Sequence, residues 1–187
     1  MNKSIIISGS GGQGVLSIGT ILANIIMLNG LNTTLCSSYG AEMRGGAVNC
    51  EINISNKEIN AIQNSEVDFV IALNQASFNK FISKVKRGGT IIVNSSLAKV
   101  EKLKEDIKYV FAPFSEQAIQ LGNIKVTNSI ALGVLSKFLD NLNIENIKKG
   151  YEKVLSNKRE LLEKNIEAFM LGFNLIQEVN QWQSEQK

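Results

Sequence analysis

At 187 residues and 44% apolar side chains, the chain can bury a substantial core and is too apolar for disorder. The net charge of +3 is small, and its basic residues interleave with acidic ones in the second half, which argues for solvated helix faces and against a nucleic-acid stripe. The lack of histidine removes the commonest general base and metal ligand, and two cysteines cannot supply the four thiolates of an iron–sulfur cluster.

Met1-Asn2-Lys3 leads straight into Ser4–Ile7, too short for a secretory h-region, and no apolar run reaches the roughly 18 residues that span a bilayer. The expectation is a cytoplasmic chain with no membrane segment and no nucleic-acid partner. Cys36 and Cys50 have no zinc spacing, and they read as two partly buried thiols rather than a disulfide.

Ser4 to Ser8 is a β-branched run that stops at glycines, a buried strand of a parallel sheet. Val15, Ile18, Leu22 and Ile25 then recur at helical spacing, and Asn29-Gly30 ends that helix. Leu31 to Ser37 is a second strand. Tyr39 to Gly46 is a loop. Ala47 to Ser55 alternates, with Val48, Cys50, Ile52 and Ile54 on one face of a third strand. Asp68 to Leu73 is a strongly apolar fourth strand. Ala76 to Lys86 reads as an amphipathic helix closed by Gly88-Gly89, followed by strands at Thr90–Asn94 and Tyr109–Phe111, the latter ending at Pro113.

Ser115 opens a helix that runs to Leu121-Gly122, and the pattern is helical from Val126 onward. The last stretch sets Leu162, Ile166, Phe169, Phe173 and Ile176 on one stripe, a core or subunit contact. The alternation predicts one α/β domain across residues 1–187. Its sheet should be Rossmann-like, open and mostly parallel, with helices on both faces and a helical C-terminal segment.

Two motifs carry chemistry. Gly9-Ser10-Gly11-Gly12-Gln13-Gly14 follows a strand and opens a helix, the context of a phosphate-binding turn. Small residues let backbone approach an anion, and the helix N-terminus offers free N–H groups. A dinucleotide site also needs an acid at the end of the second strand, and Leu35-Cys36-Ser37-Ser38 has none. A turn that serves only to pack strand against helix remains open.

The second motif is Tyr39-Gly40-Ala41-Glu42-Met43-Arg44-Gly45-Gly46. It starts where open α/β sheets place ligand loops, and Arg44 can pair with a phosphate or carboxylate through its planar fork. An ion pair between Glu42 and Arg44, or with a partner subunit, is the competing use. Both motifs leave what read as consecutive strands of one parallel unit. They are therefore expected to meet at the carboxyl edge of the sheet.

Together the two motifs resemble the gamma subunit of the 2-oxoacid:ferredoxin oxidoreductases. Further similarity lies in Asp68-Phe-Val-Ile-Ala-Leu-Asn74, Gly88-Gly89-Thr90 with the following Ile-Ile-Val, and Thr127-Asn128 through Leu132-Gly133, so it extends from Ser4 to about Ile176. The family usually has proline where this chain has Ala41.

The resemblance implies a subunit that is not catalytic alone. It would serve a complex that converts 2-oxoglutarate or pyruvate to acyl-coenzyme A and reduces ferredoxin. On overall resemblance, 2-oxoglutarate is slightly favoured. Thiamine diphosphate would sit on the alpha and beta subunits, the complex would use Mg, iron–sulfur clusters and coenzyme A, a ferredoxin-like delta subunit is a further candidate partner, and this chain alone would bind no cofactor. In related single-chain enzymes the matching domain lies beside the coenzyme A route. The implied coenzyme A site comprises Gly9, Gly11, Gly12, Gln13, Gly14, Tyr39, Glu42, Arg44, Gly45 and Gly46. Two other readings are a free-standing nucleotide-binding protein and a purely structural assembly subunit.

Overall fold

The computed structural model describes residues 2–39, 47–60, 63–100, 104–140, 142–156 and 159–184. Its strands are β1 (Asn2–Ser10), β2 (Asn32–Tyr39), β3 (Ala47–Ser55), β4 (Val67–Ala72), β5 (Val85–Asn94) and β6 (Lys108–Ala112). Its α-helices are α1 (Val15–Leu28), α2 (Gln75–Phe81), α3 (Phe114–Gln120), α4 (Thr127–Ser136), α5 (Ile144–Leu155) and α6 (Arg159–Ser184). The strands form one sheet in the order β2-β3-β1-β4-β5-β6. The β1–β4, β4–β5 and β5–β6 pairs are parallel, whereas β3 runs antiparallel to both of its neighbours. This is the expected open, mostly parallel α/β sheet.

The neighbour of β1 is different from the expected one. β2 does not pair with β1; β3 lies between them. Composition accounts for the placement. β3 buries Cys50, Ile52 and Ile54 almost completely, as a strand flanked on both edges should. β2 is a run of Asn, Thr, Cys and Ser around a 39%-exposed Leu35, suited to a sheet edge.

Two cores flank the sheet. On one face Ile5, Ile7, Ile52, Ile54, Ile71 and Ile92 pack with Ile18, Ile21, Leu22 and Ile25 of α1, and with α4 and α6. On the other, Ile6, Val70, Ile91 and Val93 pack with Phe78 and Phe81 of α2. Strands buried on both faces need unbroken apolar runs, which is why Ile5-Ile6-Ile7 and Phe69–Ala72 do not alternate. Each fully buried isoleucine contributes roughly 1.5–3 kcal/mol.

Helix α2 ends earlier than its amphipathic pattern suggests. After Phe81 comes a 3₁₀ turn (Ile82–Lys84), and Val85 already belongs to β5, paired with Val67. The register then shifts between Val67 and Phe69, so that Thr90 faces Phe69. Gly88 makes the irregularity possible with φ of 75°, and its N–H donates to the Asp106 carbonyl at 2.7 Å. The burial of Val85 against the second core overrides the helical spacing.

The C-terminal stripe is an intramolecular contact. Phe169 is fully buried, and Leu162, Ile166 and Phe173 pack beside it on the core under α4. Ile176 lies outside the residues whose side chains are described. Helices α4 and α6 approach until backbone touches backbone. A methyl group on Gly133 would strike the Phe169 carbonyl, and one on Gly172 the Ile130 carbonyl. The stripe is thus used within the chain and gives no support for a subunit contact. Among the described residues, no helix is long and apolar enough to cross a membrane.

Candidate functional site

From β1 the chain passes through α1 to β2 on one side of the sheet, and from β4 through α2 to β5 on the other. β1 and β4 are adjacent and parallel, so their carboxyl ends bound a topological switch point, where open α/β sheets open a crevice. The glycine turn follows β1, and Leu73-Asn74 follows β4.

The last backbone rung between the two strands is Leu73 N–H donating to the Ser8 carbonyl at 2.9 Å. A further parallel rung would join Ser10 N–H to the Leu73 carbonyl. Gln13 intervenes instead. Its Oε1 accepts from Ser10 N–H at 2.6 Å and from Asn74 Nδ2 at 2.8 Å, while its Nε2 donates to the Leu73 carbonyl at 3.4 Å. The carboxamide thus acts as a peptide group inserted where the strands part. It lies so close over Gly9 that a Cβ there would sit 2.8 Å from Oε1.

Asn74 joins the network from the far side. It donates to Ser10 Oγ at 2.9 Å and caps α2 by accepting from Ser77 N–H at 2.9 Å. Asn94, buried at the end of β5, donates to the Leu73 carbonyl at 3.2 Å and to Ser115 Oγ at 2.9 Å. A chain of neutral amides and hydroxyls therefore braces the carboxyl ends of β1, β4 and β5.

The turn itself needs glycine at two points. Gly12 and Gly14 have φ of 92° and 71°, and Gly14 is the N-cap of α1. Asn128, buried at the start of α4, donates to the Gly14 carbonyl at 3.1 Å and fills the space where a Cβ of residue 14 would lie. No side chain caps α1 and its first turn carries no acid. The amides of Val15, Leu16 and Ser17 precede the first intrahelical bond, from Ile18 N–H to the Gly14 carbonyl, and point out of the helix end.

A cavity of about 140 Å³ adjoins the turn, lined by Gly12, Gln13, Leu97, Ser115, Ile124, Lys125 and Thr127. A larger cleft of about 370 Å³ lies at the opposite, amino-terminal edge, among Asn2, Ser4, Asn64, Asp68 and Lys86. Much of its polar lining is self-paired. Asp68 accepts from Ser4 N–H at 2.8 Å and pairs with Lys86. Burial pushes the Asp68 carboxyl up, but hydrogen bonds from Lys86 and Ser4 and the Lys86 charge outweigh it, and hold it below the ordinary carboxylate value. This cluster ties the amino ends of β1, β4 and β5 together, and we read it as structural.

Of the motif Tyr39 to Gly46, Tyr39 closes β2, and Glu42, Arg44, Gly45 and Gly46 lie outside the described residues. Strand register still fixes where the motif ends. It re-enters the sheet at Ala47, which pairs with Ser10. The connection to the glycine turn therefore runs through β3, not through a β1–β2 neighbourhood. No acid occurs in β2, as a ribose-binding site would need.

The cysteines sit on opposite faces of the sheet. Cys36 is partly buried beside Gln63, whereas Cys50 is buried under α1 with its thiol pushed up to about 12 by burial. Neither reaches the crevice. No group of three or more metal-ligating side chains occurs among the described residues.

Asn74, Asn94, Ser115, Lys125 and Asn128 were not among the sequence-predicted site residues. The available signal was positional: Leu73-Asn74 and Val93-Asn94 each set an amide where an apolar strand ends, at the carboxyl edge of the sheet.

Residues 4–175 match the sequence model of the family described as pyruvate ferredoxin/flavodoxin oxidoreductase. The chain is 32% identical over 173 residues to the 2-oxoglutarate synthase subunit KorC of Archaeoglobus fulgidus, covering 92% of this chain and 87% of that one. The fold is similar to the keto/oxoacid ferredoxin oxidoreductase gamma subunit from Geobacter sulfurreducens, with a TM-score of 0.76, 30% identity, and 91% and 96% of the two chains covered. It is also similar to part of the 2-oxoglutarate:ferredoxin oxidoreductase from Magnetococcus marinus, solved with 2-oxoglutarate, coenzyme A and succinyl-CoA bound. There the TM-score is 0.84 at 24% identity, covering 93% of this chain but only 31% of that longer one.

Proposed function

The chain belongs to the pyruvate ferredoxin/flavodoxin oxidoreductase family, and from that premise we infer that it is the gamma subunit of a 2-oxoacid:ferredoxin oxidoreductase. It forms one gamma-type unit across residues 1–187 and works in the cytoplasm beside alpha and beta subunits, a ferredoxin-like delta subunit being a further candidate. The overall reaction releases carbon dioxide from a 2-oxoacid, passes electrons to ferredoxin and leaves the acyl group on the coenzyme A sulfur. We favour 2-oxoglutarate over pyruvate, because the KorC relative is a 2-oxoglutarate synthase subunit.

Thiamine diphosphate with its magnesium, and the iron–sulfur clusters, supply decarboxylation and electron transfer when bound on the partner subunits. The donor set of this chain does not fit a cluster: its two thiols face opposite sides of the sheet. Its own contribution is to bind and orient coenzyme A.

The observation that carries this reading is the glycine turn at the switch point, with the uncapped amino end of α1 behind it. The free amides of Val15, Leu16 and Ser17, with the positive end of the helix dipole, suit a phosphate. The Gln13 carboxamide already takes the Ser10 N–H, so that donor is not offered. Gly9, Gly11, Gly12 and Gly14 give the ligand close access to the backbone. We assign Arg44 as a bidentate partner for the phosphate, and Tyr39, Glu42, Gly45 and Gly46 of the same motif to the same site.

The test is steady-state kinetics of the reconstituted complex. Arg44→Ala should raise KM for coenzyme A about ten- to a hundredfold, from loss of a charge-assisted contact of about 1.5–3 kcal/mol. KM for the 2-oxoacid should hardly move, and Arg44→Lys should rescue only in part. A complex that falls apart with KM for coenzyme A unchanged would make Arg44 an interface residue and the chain a purely structural subunit.

A further inference from the structure

The cavity beside the glycine turn is small. About 140 Å³ is well below the roughly 300 Å³ at which pockets begin to enclose a whole organic ligand. It can hold one group of a long ligand, and its lining says which. Ser115 Oγ is engaged by Asn94, and the Thr127 hydroxyl donates to the Ile124 carbonyl at 2.7 Å. Gln13 is engaged by Ser10 and Asn74. The side-chain polar group of the lining that pairs with none of the described residues is the Lys125 ammonium.

Its backbone is held in place even so. Lys125 N–H donates to Asn123 Oδ1 at 3.1 Å in the 3₁₀ turn Ile124–Val126 that leads directly into α4. Thr127, the first residue of α4, also lines the cavity, with its N–H taken by the Ile124 carbonyl, and Gly12 and Gln13 lie just before the start of α1. Lys125, itself exposed, and the amino end of α1 that follows Gly12 and Gln13 therefore border one small space, and among the described lining residues the charge is positive. Leu97 and Ile124, 49% and 53% exposed, form apolar lips at its mouth. The group selected is an anion carried on a less polar stem.

We propose that Lys125 is a specificity-determining residue that reads a phosphate group of coenzyme A beside the glycine turn. This rests on the coenzyme A reading above. The coenzyme offers two phosphate sources, its diphosphate bridge and its ribose 3′-phosphate, and Lys125 suits either.

The experiment uses the reconstituted complex with Lys125→Gln, Lys125→Glu and Lys125→Arg. KM is measured for coenzyme A, for dephospho-coenzyme A and for the 2-oxoacid. Lys125→Gln should raise KM for coenzyme A about three- to tenfold, Lys125→Glu should raise it further, and Lys125→Arg should restore it to within about twofold. Added salt should weaken coenzyme A binding less in Lys125→Gln than in the unmodified complex.

An equal loss with dephospho-coenzyme A assigns the diphosphate, and a loss confined to coenzyme A assigns the 3′-phosphate; both support the proposal. An unchanged KM for coenzyme A in an intact Lys125→Glu complex overturns it, as does an equal rise in KM for the 2-oxoacid. Hydrogen exchange of the unmodified complex separates the two levels. If coenzyme A fails to protect the amides of Val15 to Ser17, the coenzyme reading falls and takes Lys125 with it. If it protects them while Lys125→Glu is silent, only the assignment of Lys125 falls.

Discussion

Replacing Gln13 by Met keeps the length of the side chain but removes the group that stands in for a rung between β1 and β4. Two good hydrogen bonds are lost, from Ser10 N–H at 2.6 Å and from Asn74 Nδ2 at 2.8 Å, together with a long one to the Leu73 carbonyl at 3.4 Å. Asn74 retains its bond to Ser10 Oγ, and Leu73 its bond from Asn94, so Ser10 N–H and one Asn74 amide hydrogen are left without their described acceptor. At about 0.5–1.5 kcal/mol net for each good bond, Gln13→Met should destabilise the chain by about 1–3 kcal/mol. For a chain of this size, that lowers Tm by roughly 2–12 °C. Gln13→Glu keeps both accepting contacts and sets a carboxylate oxygen against the Leu73 carbonyl, so it should also lose stability, through repulsion. The assay is urea denaturation with amide exchange at Ser10. A loss below about 0.5 kcal/mol with unaltered Ser10 exchange in Gln13→Met would refute the bridging role.

Two further outcomes follow from packing and charge. Gly133→Ala drives a methyl into the Phe169 carbonyl across α4 and α6, where neither backbone can yield cheaply; urea denaturation should show a loss above about 3 kcal/mol, or no folded chain, as an overpacked core requires. The Asp68 carboxyl is held below its ordinary value, so its stabilising contribution is present at neutral pH and disappears as pH falls below the usual aspartate range near 4. The stability gap between the unmodified chain and Asp68→Asn, followed by denaturation at a series of pH values, should therefore narrow on acidification. A gap that widened instead would contradict the assignment.

The strand cores were legible because burial on both faces demands unbroken apolar runs, and the alternating face of Val48, Cys50, Ile52 and Ile54 identified a strand covered on one side. Pairing order was not legible. Whether β2 or β3 lies against β1 depends on which can tolerate an edge, and the cue was the polar composition of Asn32 to Ser38. The end of α2 was misread because Ile82 and Val85 continue a helical spacing, yet Val85 gains more by entering the sheet. At the site, the glycine turn and its position after a buried strand were readable. The inward use of Gln13 was not, since its partners Leu73 and Asn74 are brought to it only by parallel pairing with β4. Asn128 is still more remote: it reaches Gly14 across a separation of 114 residues.

The most direct test of the central claim is electron output from the purified assembly. The chain is co-expressed with its alpha and beta subunits, and acceptor reduction is followed with 2-oxoglutarate and coenzyme A supplied. The chain should co-elute with the larger subunits, and the complex should reduce ferredoxin only when both substrates are present, with no turnover by this chain alone. Elution of the chain by itself at every concentration, or 2-oxoacid turnover without partners, would contradict that claim.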